Sequence, residues 1–309
     1  MKKILTIAIS LSFATVAVHA QTLAAYQSTI DGQSPSYHNT LDNTLVPSVG
    51  TGTFTSTGTS FTSDYFGNAN DAVSFSGTNS PSPDALNGPG SPNDILANHT
   101  VGSLSLLFYM PAGTPGTQYI FSDGEATTAV GTEPAATAFS LDFSSGTFQL
   151  KSGNTSTTLT SLGVPAANTW YYFAATWNTT VSSNSAAINV YLGAAGGGTL
   201  ATGTIGRQVN GTLGNKISST AVIGDGLGFV LGNRQTQGSG QTAGFNIGGT
   251  SPGADDELAI WNGTVLSSGQ ITSQYNTLVV PEPSTYAVLG IGTLILLCFH
   301  RKIGAHLQR

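Results

Sequence analysis

Cysteine is almost missing from this chain. The single one, Cys298, lies in an apolar stretch near the C-terminus. The part that folds ahead of it therefore has no disulfide, no cysteine-ligated metal and no thiol nucleophile. A domain of this length does without such staples because its core is large. Histidine is scarce as well. Between residues 21 and 285 only His38 and His99 occur, both in loop-like sequence and without the clustering that a zinc site needs. Neither is expected to serve in a Ser-His-Asp triad.

Charge is the third deficit. Charged residues make up 8% of the 309, where about 25% is ordinary. Between Gln21 and Thr285 the basic residues are Lys151, Arg207, Lys216 and Arg234, against all 15 acidic ones, a formal charge of −11 with histidine neutral. Nucleic acid is excluded as a partner, because a phosphate backbone demands clustered Lys and Arg. An anionic lipid surface would repel such a domain. Neutral glycans and divalent cations remain compatible.

What is present begins with the two ends. Met1-Lys2-Lys3, an apolar run from Ile4 to Val18 and the small residues of Val18-His19-Ala20 form a secretory signal, with cleavage expected after Ala20. At the other end Pro281-Glu282-Pro283 precedes an apolar stretch over 286–299 and the basic cluster His300-Arg301-Lys302. Fourteen apolar residues fall short of the roughly 20 of a stable span. The basic residues would hold that end in the cytoplasm, and the prolines keep the preceding segment extended. This arrangement resembles the PEP-CTERM sorting signal. The resemblance implies an exosortase-type membrane protease as partner, transient insertion in the inner membrane through the C-terminal helix, and delivery to the cell surface or extracellular matrix. Pro281, Glu282, Pro283, Arg301 and Lys302 are the residues that match.

The middle, residues 21–278, reads as one all-β domain, an antiparallel β-sandwich, between the signal peptide (1–20) and the sorting segment (279–309). Strands are predicted at Val73–Phe75, Leu104–Met110, Phe139–Phe143, Thr147–Lys151, Trp170–Trp177, Ile188–Leu192, Phe229–Leu231 and Leu258–Trp261. Trp170–Trp177 is apolar on both faces and is expected to be a central strand. Residues 50–63 and 79–93, rich in Thr, Ser, Gly, Pro and Asn, read as long surface loops. One short C-terminal helix is expected, with Ser267 as N-cap and Gln270 at N3, and with Ile271 and Tyr275 on one face, packing over the sandwich edge. The signal and sorting helices are the others.

The order of several phrases carries a second resemblance. Ala72-Val73-Ser74-Phe75-Ser76-Gly77 is followed by Trp170-Tyr171-Tyr172-Phe173-Ala174-Ala175-Thr176-Trp177, Val190-Tyr191-Leu192-Gly193 and Leu231-Gly232-Asn233-Arg234. Asp255-Asp256-Glu257-Leu258-Ala259-Ile260-Trp261 and Leu266-Ser267-Ser268-Gly269-Gln270-Ile271 complete the series. The succession resembles the LamG-like/concanavalin A-like lectin-glucanase jelly roll over residues 22–278. It implies carbohydrate or matrix binding, and a structural calcium held by Asp256 with Asp31 as an early partner. Gly193 departs from the family, where Asp-Gly is common, so no ligand role carries over to that turn.

Two other readings are open. Asp255 and Glu257 stand at i and i+2, the spacing that puts two carboxylates on one face of a strand, as a retaining glycosidase requires. The Glu-x-Asp-x-x-Glu signature of the fold's glucanases is absent, which favours a non-catalytic protein. A purely structural adhesin domain is the third reading. Trp170, Trp177 and Trp261 sit in strand patterns and are expected in the core. A glycan platform would more readily come from Tyr37, Tyr65 or Phe66, and no ligand-binding set can be named from sequence.

Overall fold

The computed structural model describes residues 23–75, 85–87, 100–112, 118–123, 139–144, 146–152, 155–158, 166–178, 188–205, 229–232, 246–247 and 251–279. The signal cleavage position Ala20, the sorting residues and His99 lie outside them. The described residues form two antiparallel sheets and two helices. The first sheet holds β1 (Tyr37–Asn39), β3 (Ser60–Thr62), β4 (Ala72–Phe75), β6 (Val101–Met110), β11 (Thr169–Asn178), β12 (Ile188–Ala194), β13 (Ala201–Ile205), β15 (Asn246–Ile247) and β16 (Ser251–Asn262). Its order is β13-β12-β11-β6-β16-β4-β3, with β1 and β15 also pairing β16. The second holds β2 (Thr55–Thr57), β5 (Ala85–Asn87), β7 (Gln118–Asp123), β8 (Phe139–Ser144), β9 (Thr147–Ser152), β10 (Thr155–Thr158) and β14 (Phe229–Leu231), in the order β10-β9-β8-β7-β14-β5-β2.

Every predicted strand is present. The stretch over 50–63 is a correction: it carries β2 and β3, because an edge strand needs only backbone pairing on one side and tolerates Ser and Thr. Likewise β5 falls within 79–93.

Period-2 alternation divides the side chains of the first sheet. Leu104, Leu106 and Phe108 of β6 and Phe173, Ala175 and Trp177 of β11 face the second sheet and meet Leu141, Phe148 and Leu150 there. Aromatic pairs cross the gap, Phe108 with Phe148 at 5.5 Å and Phe121 with Phe173 at 5.7 Å between ring centroids. Gly102 sits opposite Trp177, where a Cβ would come within 2.4 Å of the indole.

The outer face of the same sheet is buried as well. Leu107, Tyr172, Ala174, Ala259 and Trp261 form a second cluster with Tyr26, Ile30, Ile271, Tyr275 and Leu278. The last five come from helix α1, over 23–31, and helix α2 (Ser268–Val279). This is why β11 is apolar on both faces. Helix α2 starts as expected: Gln270 N–H donates to Ser267 Oγ at 3.3 Å and Ser267 N–H to Gln270 Oε1 at 3.0 Å. It lies on the outer face of the sheet rather than at the sandwich edge. Tyr275 fills the space above Gly193, where a Cβ would stand 2.7 Å from its ring, and its hydroxyl donates to the Ala194 carbonyl at 2.9 Å. Gly193 is therefore not at a turn but inside β12, where only a glycine leaves room for the Tyr275 ring. Helix α1 is an addition that the sequence pattern did not disclose.

Candidate functional site

Two features occupy the outer face of the first sheet, and the first is a bulge in β16. Up to Asp256 the register against β6 is regular, and it resumes one residue out of step at Ala259. Glu257 takes up the slack in the left-handed region, at φ 53°, a conformation that costs a non-glycine residue roughly 1–3 kcal/mol and persists only where surroundings impose it. Here they do. Glu257 is fully buried; its Oε1 accepts from Gln27 Nε2 of α1 at 2.7 Å, and its Oε2 lies 2.8 Å from His38 Nε2 on β1. The other nitrogen of His38 lies 2.8 Å from Asp31 Oδ1. Only a protonated imidazole donates to both carboxylates. Burial acts to lower the His38 pKa, but the hydrogen bonds and charges of Glu257 and Asp31 outweigh it and hold it above the usual value.

Three carboxylates converge beside this chain. Ligand oxygens of Asp42, Asp256 and Glu257 all lie within 4.8 Å of one another. Asp256 is fully buried and, among the described residues, neither of its side-chain oxygens finds a hydrogen-bond partner, nor do Asp42 Oδ1 and the Tyr26 hydroxyl. Asp42 Oδ2 accepts from Gln27 at 3.0 Å. Burial, then the Glu257 charge, pushes the Asp42 carboxyl up to about 7. Burial, then Glu257, Asp42 and Asp64, drives Asp256 well above the carboxylate range. Burial raises Glu257 as well, against the pull of His38. Hard anionic oxygens, crowded, desolvated and partly unpartnered, are the donor set a calcium-like cation takes, so these residues fit one.

The predicted residues divide accordingly. Asp256 sits in the cluster. Asp31 does not: its side chain is half exposed and turned to His38, and Asp42 stands where the early partner was expected. His38 is no loop residue but the middle of β1, with both nitrogens taken by carboxylates. The bulge also separates Asp255 from Glu257. Asp255 pairs with Phe108 and Val73, both on the inner face, whereas Glu257 meets His38 and Gln27 on the outer one. The i, i+2 rule fails because an extra residue intervenes in the pleat. Gly249-Thr250-Ser251-Pro252-Gly253 matches Gly-x-Ser-x-Gly by spacing. Ser251, however, opens an antiparallel strand, not the strand-to-helix turn of a nucleophile elbow.

The second feature is an open cleft of about 360 Å³ lined by Thr62, Ser63, Ser74, Tyr109, Pro111, Asn168, Trp170, Pro252, Gly253 and Ala254. Trp177 and Trp261 are buried as expected, at 1% exposure each. Trp170 is different: it rests partly buried on the outer cluster and turns to the cleft, 5.6 Å from the Tyr109 ring. Asn168, in the left-handed region at φ 54°, accepts a hydrogen bond from the Tyr109 hydroxyl at 3.2 Å. Tyr37 and Phe66, proposed as platforms from sequence, are core residues at 2% and 6% exposure, and Tyr65 spends its hydroxyl on the Leu278 carbonyl at 2.9 Å.

No protein-family model matches the chain, and no curated protein sequence does. Among solved structures it is similar to a mutant Trypanosoma rangeli sialidase displaying trans-sialidase activity, at a TM-score of 0.50 and 10% identity over 88% of this chain and 40% of that one. The botulinum neurotoxin serotype C1 binding domain scores 0.48 at 13% identity, over 81% and 53%. Domain 4 of an extracellular arabinanase from Geobacillus stearothermophilus, in complex with arabinotriose, scores 0.43 at 15% identity, over 78% and 98%. The chain thus spans about half the length of the neurotoxin domain and two fifths of the sialidase. At these identities the likeness concerns the β-sandwich fold alone.

Proposed function

We propose that this chain is a non-catalytic exported protein whose β-sandwich, a concanavalin A-like jelly roll, binds carbohydrate at the cell surface or in the extracellular matrix. The open cleft carries this reading: Trp170 and Tyr109 give it aromatic surface, Thr62, Ser63, Ser74 and Asn168 give it neutral hydrogen-bonding groups, and small apolar residues complete its lining, a mix suited to sugar rings. Asp255 and Glu257, the pair expected to serve a hydrolase, are buried, and the bulge turns them to opposite faces of β16. Export and exosortase processing rest on the sequence of the two ends. Asp42, Asp256 and Glu257 would hold a structural calcium, which would neutralise their mutual repulsion and tie α1 to the bulge through Gln27.

A glycan array with the protein recovered from its native cell, run beside a glycan hydrolysis assay, tests the binding reading. Retention of glycans without turnover is expected; reducing ends appearing over time, or no retention of any glycan, would overturn it. Intact mass of the same material tests processing. A form starting at Gln21 and ending near Pro281–Ser284 is expected, and a product retaining residues 286–309 in the inner membrane would refute sorting.

A further inference from the structure

Resting on the carbohydrate-binding reading, we infer that the ligand is an uncharged, extended glycan chain lying across the strands in the cleft, stacked on Trp170.

The position follows from register. Ser60 pairs with Ser74, Ser74 with Ala254, Ala254 with Tyr109 and Tyr109 with Trp170, so one row of outward side chains crosses β3, β4, β16, β6 and β11. At about 4.8 Å between strands, β3 and β11 stand about 19 Å apart. The middle of the row is shallow because Ser74 and Ala254 are small. Its β11 end is tall, with the Tyr109 and Trp170 rings tilted by 51°. The helices fill the face over Leu107, Ala174, Ala259 and Trp261, one turn of the pleat along, and leave this row as a trough. A trough of several strand widths with an aromatic wall suits a chain of sugar rings better than a single terminal sugar.

The chemical class follows from charge. Every described residue that lines the cleft is neutral. A sialic or uronic acid carboxylate, buried against such a wall without a cation, would be desolvated and unpaired. The chain's −11 balance between residues 21 and 285 would repel it further. Asn168, its oxygen engaged by Tyr109, retains amide N–H donors for sugar hydroxyls, and Thr62, Ser63 and Ser74 add hydroxyls of both donor and acceptor character.

The test is an array of neutral and of sialylated or uronic oligosaccharides, probed with the full chain and with its Trp170→Ala, Trp170→Phe and Asn168→Gly variants. Each variant's thermal melt is recorded alongside. Asn168→Gly removes the amide while easing the left-handed backbone, so it stays folded even if Trp170→Ala does not. Wild type should bind neutral oligomers better as length increases. Trp170→Ala should weaken binding roughly tenfold or more, as truncation of a buried aromatic contact does, with Trp170→Phe retaining part of it and Asn168→Gly weakening it severalfold. Neutral-glycan binding unmoved in Trp170→Phe and Asn168→Gly would place the site elsewhere. Binding confined to acidic sugars would overturn the ligand class. Both outcomes leave carbohydrate binding itself standing, whereas no binding to any glycan would sink that reading too.

Discussion

The outer face of the nine-stranded sheet has two ends built on opposite rules. At one, α1 and α2 bury a cluster of aromatics together with Asp256, Glu257 and His38. At the other, Trp170 and Tyr109 stand over small neutral residues open to solvent. The buried end concentrates charge and leaves oxygens unpartnered; the open end carries none. Charge is tolerated where an imidazolium or a cation can neutralise it; a neutral cleft carries no such cost.

The contrast can be broken in graded steps. Trp261→Ala should be the most damaging change, costing about 3–5 kcal/mol in urea unfolding, because it empties the outer cluster and removes the indole bond to the Gln33 carbonyl at 3.0 Å. Trp170→Ala, the same substitution on the same face, should cost under about 1.5 kcal/mol, since the ring is only partly buried, borders the open cleft and leaves no sealed cavity. Equal losses would mean that the two ends are not distinct.

His38→Ala should follow at about 3 kcal/mol or more, because it strands Glu257 as a buried anion beside Asp256 and Asp42. Asp256→Asn should have the opposite sign without metal, raising the melting temperature by relieving that repulsion, and should abolish any rise on adding calcium. For the wild type, calcium at a hundred times its dissociation constant should add about 2.7 kcal/mol. Calorimetry that finds no calcium effect would remove the cation from the bulge.

A further test concerns pH in chelator. Asp42 has its pKa raised from 3.8 to about 7. Between those values the unfolded chain loses the proton that the folded one keeps, so stability falls as pH rises across that window. The raised pKa of His38 acts the same way: its contribution is complete below the ordinary histidine value of 6.5 and is lost as pH rises through the folded value. Metal-free protein should therefore melt lower at pH 8 than at pH 5, and saturating calcium should flatten the difference. A melt that rises with pH in chelator would show that the carboxylates do not titrate as the cluster requires.

Most of the sandwich was legible because its strands alternate or are apolar on both faces, and burial imposes that pattern on any chain that forms them. The α2 cap was legible because Ser267 and Gln270 meet within one turn. Strands β2 and β3 were not, since edge pairing asks nothing of Thr and Ser side chains. Helix α1 was hidden next to the apolar N-terminal run, with Tyr26 and Ile30 as its few apolar anchors. The cleft was missed for a related reason: a tryptophan in a strand pattern is usually core, and only the limited reach of the helices leaves Trp170 uncovered.

The sequence alone determined the class of the fold, the acidic balance of the middle of the chain, and the local capping of α2, all properties of composition or of residues a few positions apart. Tertiary structure decided the rest. One extra residue in β16 turned Asp255 inward and Glu257 outward, and distant Asp42, His38 and Gln27 supplied the partners that hold Glu257 in a left-handed backbone. No periodicity encodes a bulge, because it is the pairing of β16 with its neighbours that shows where the register slips.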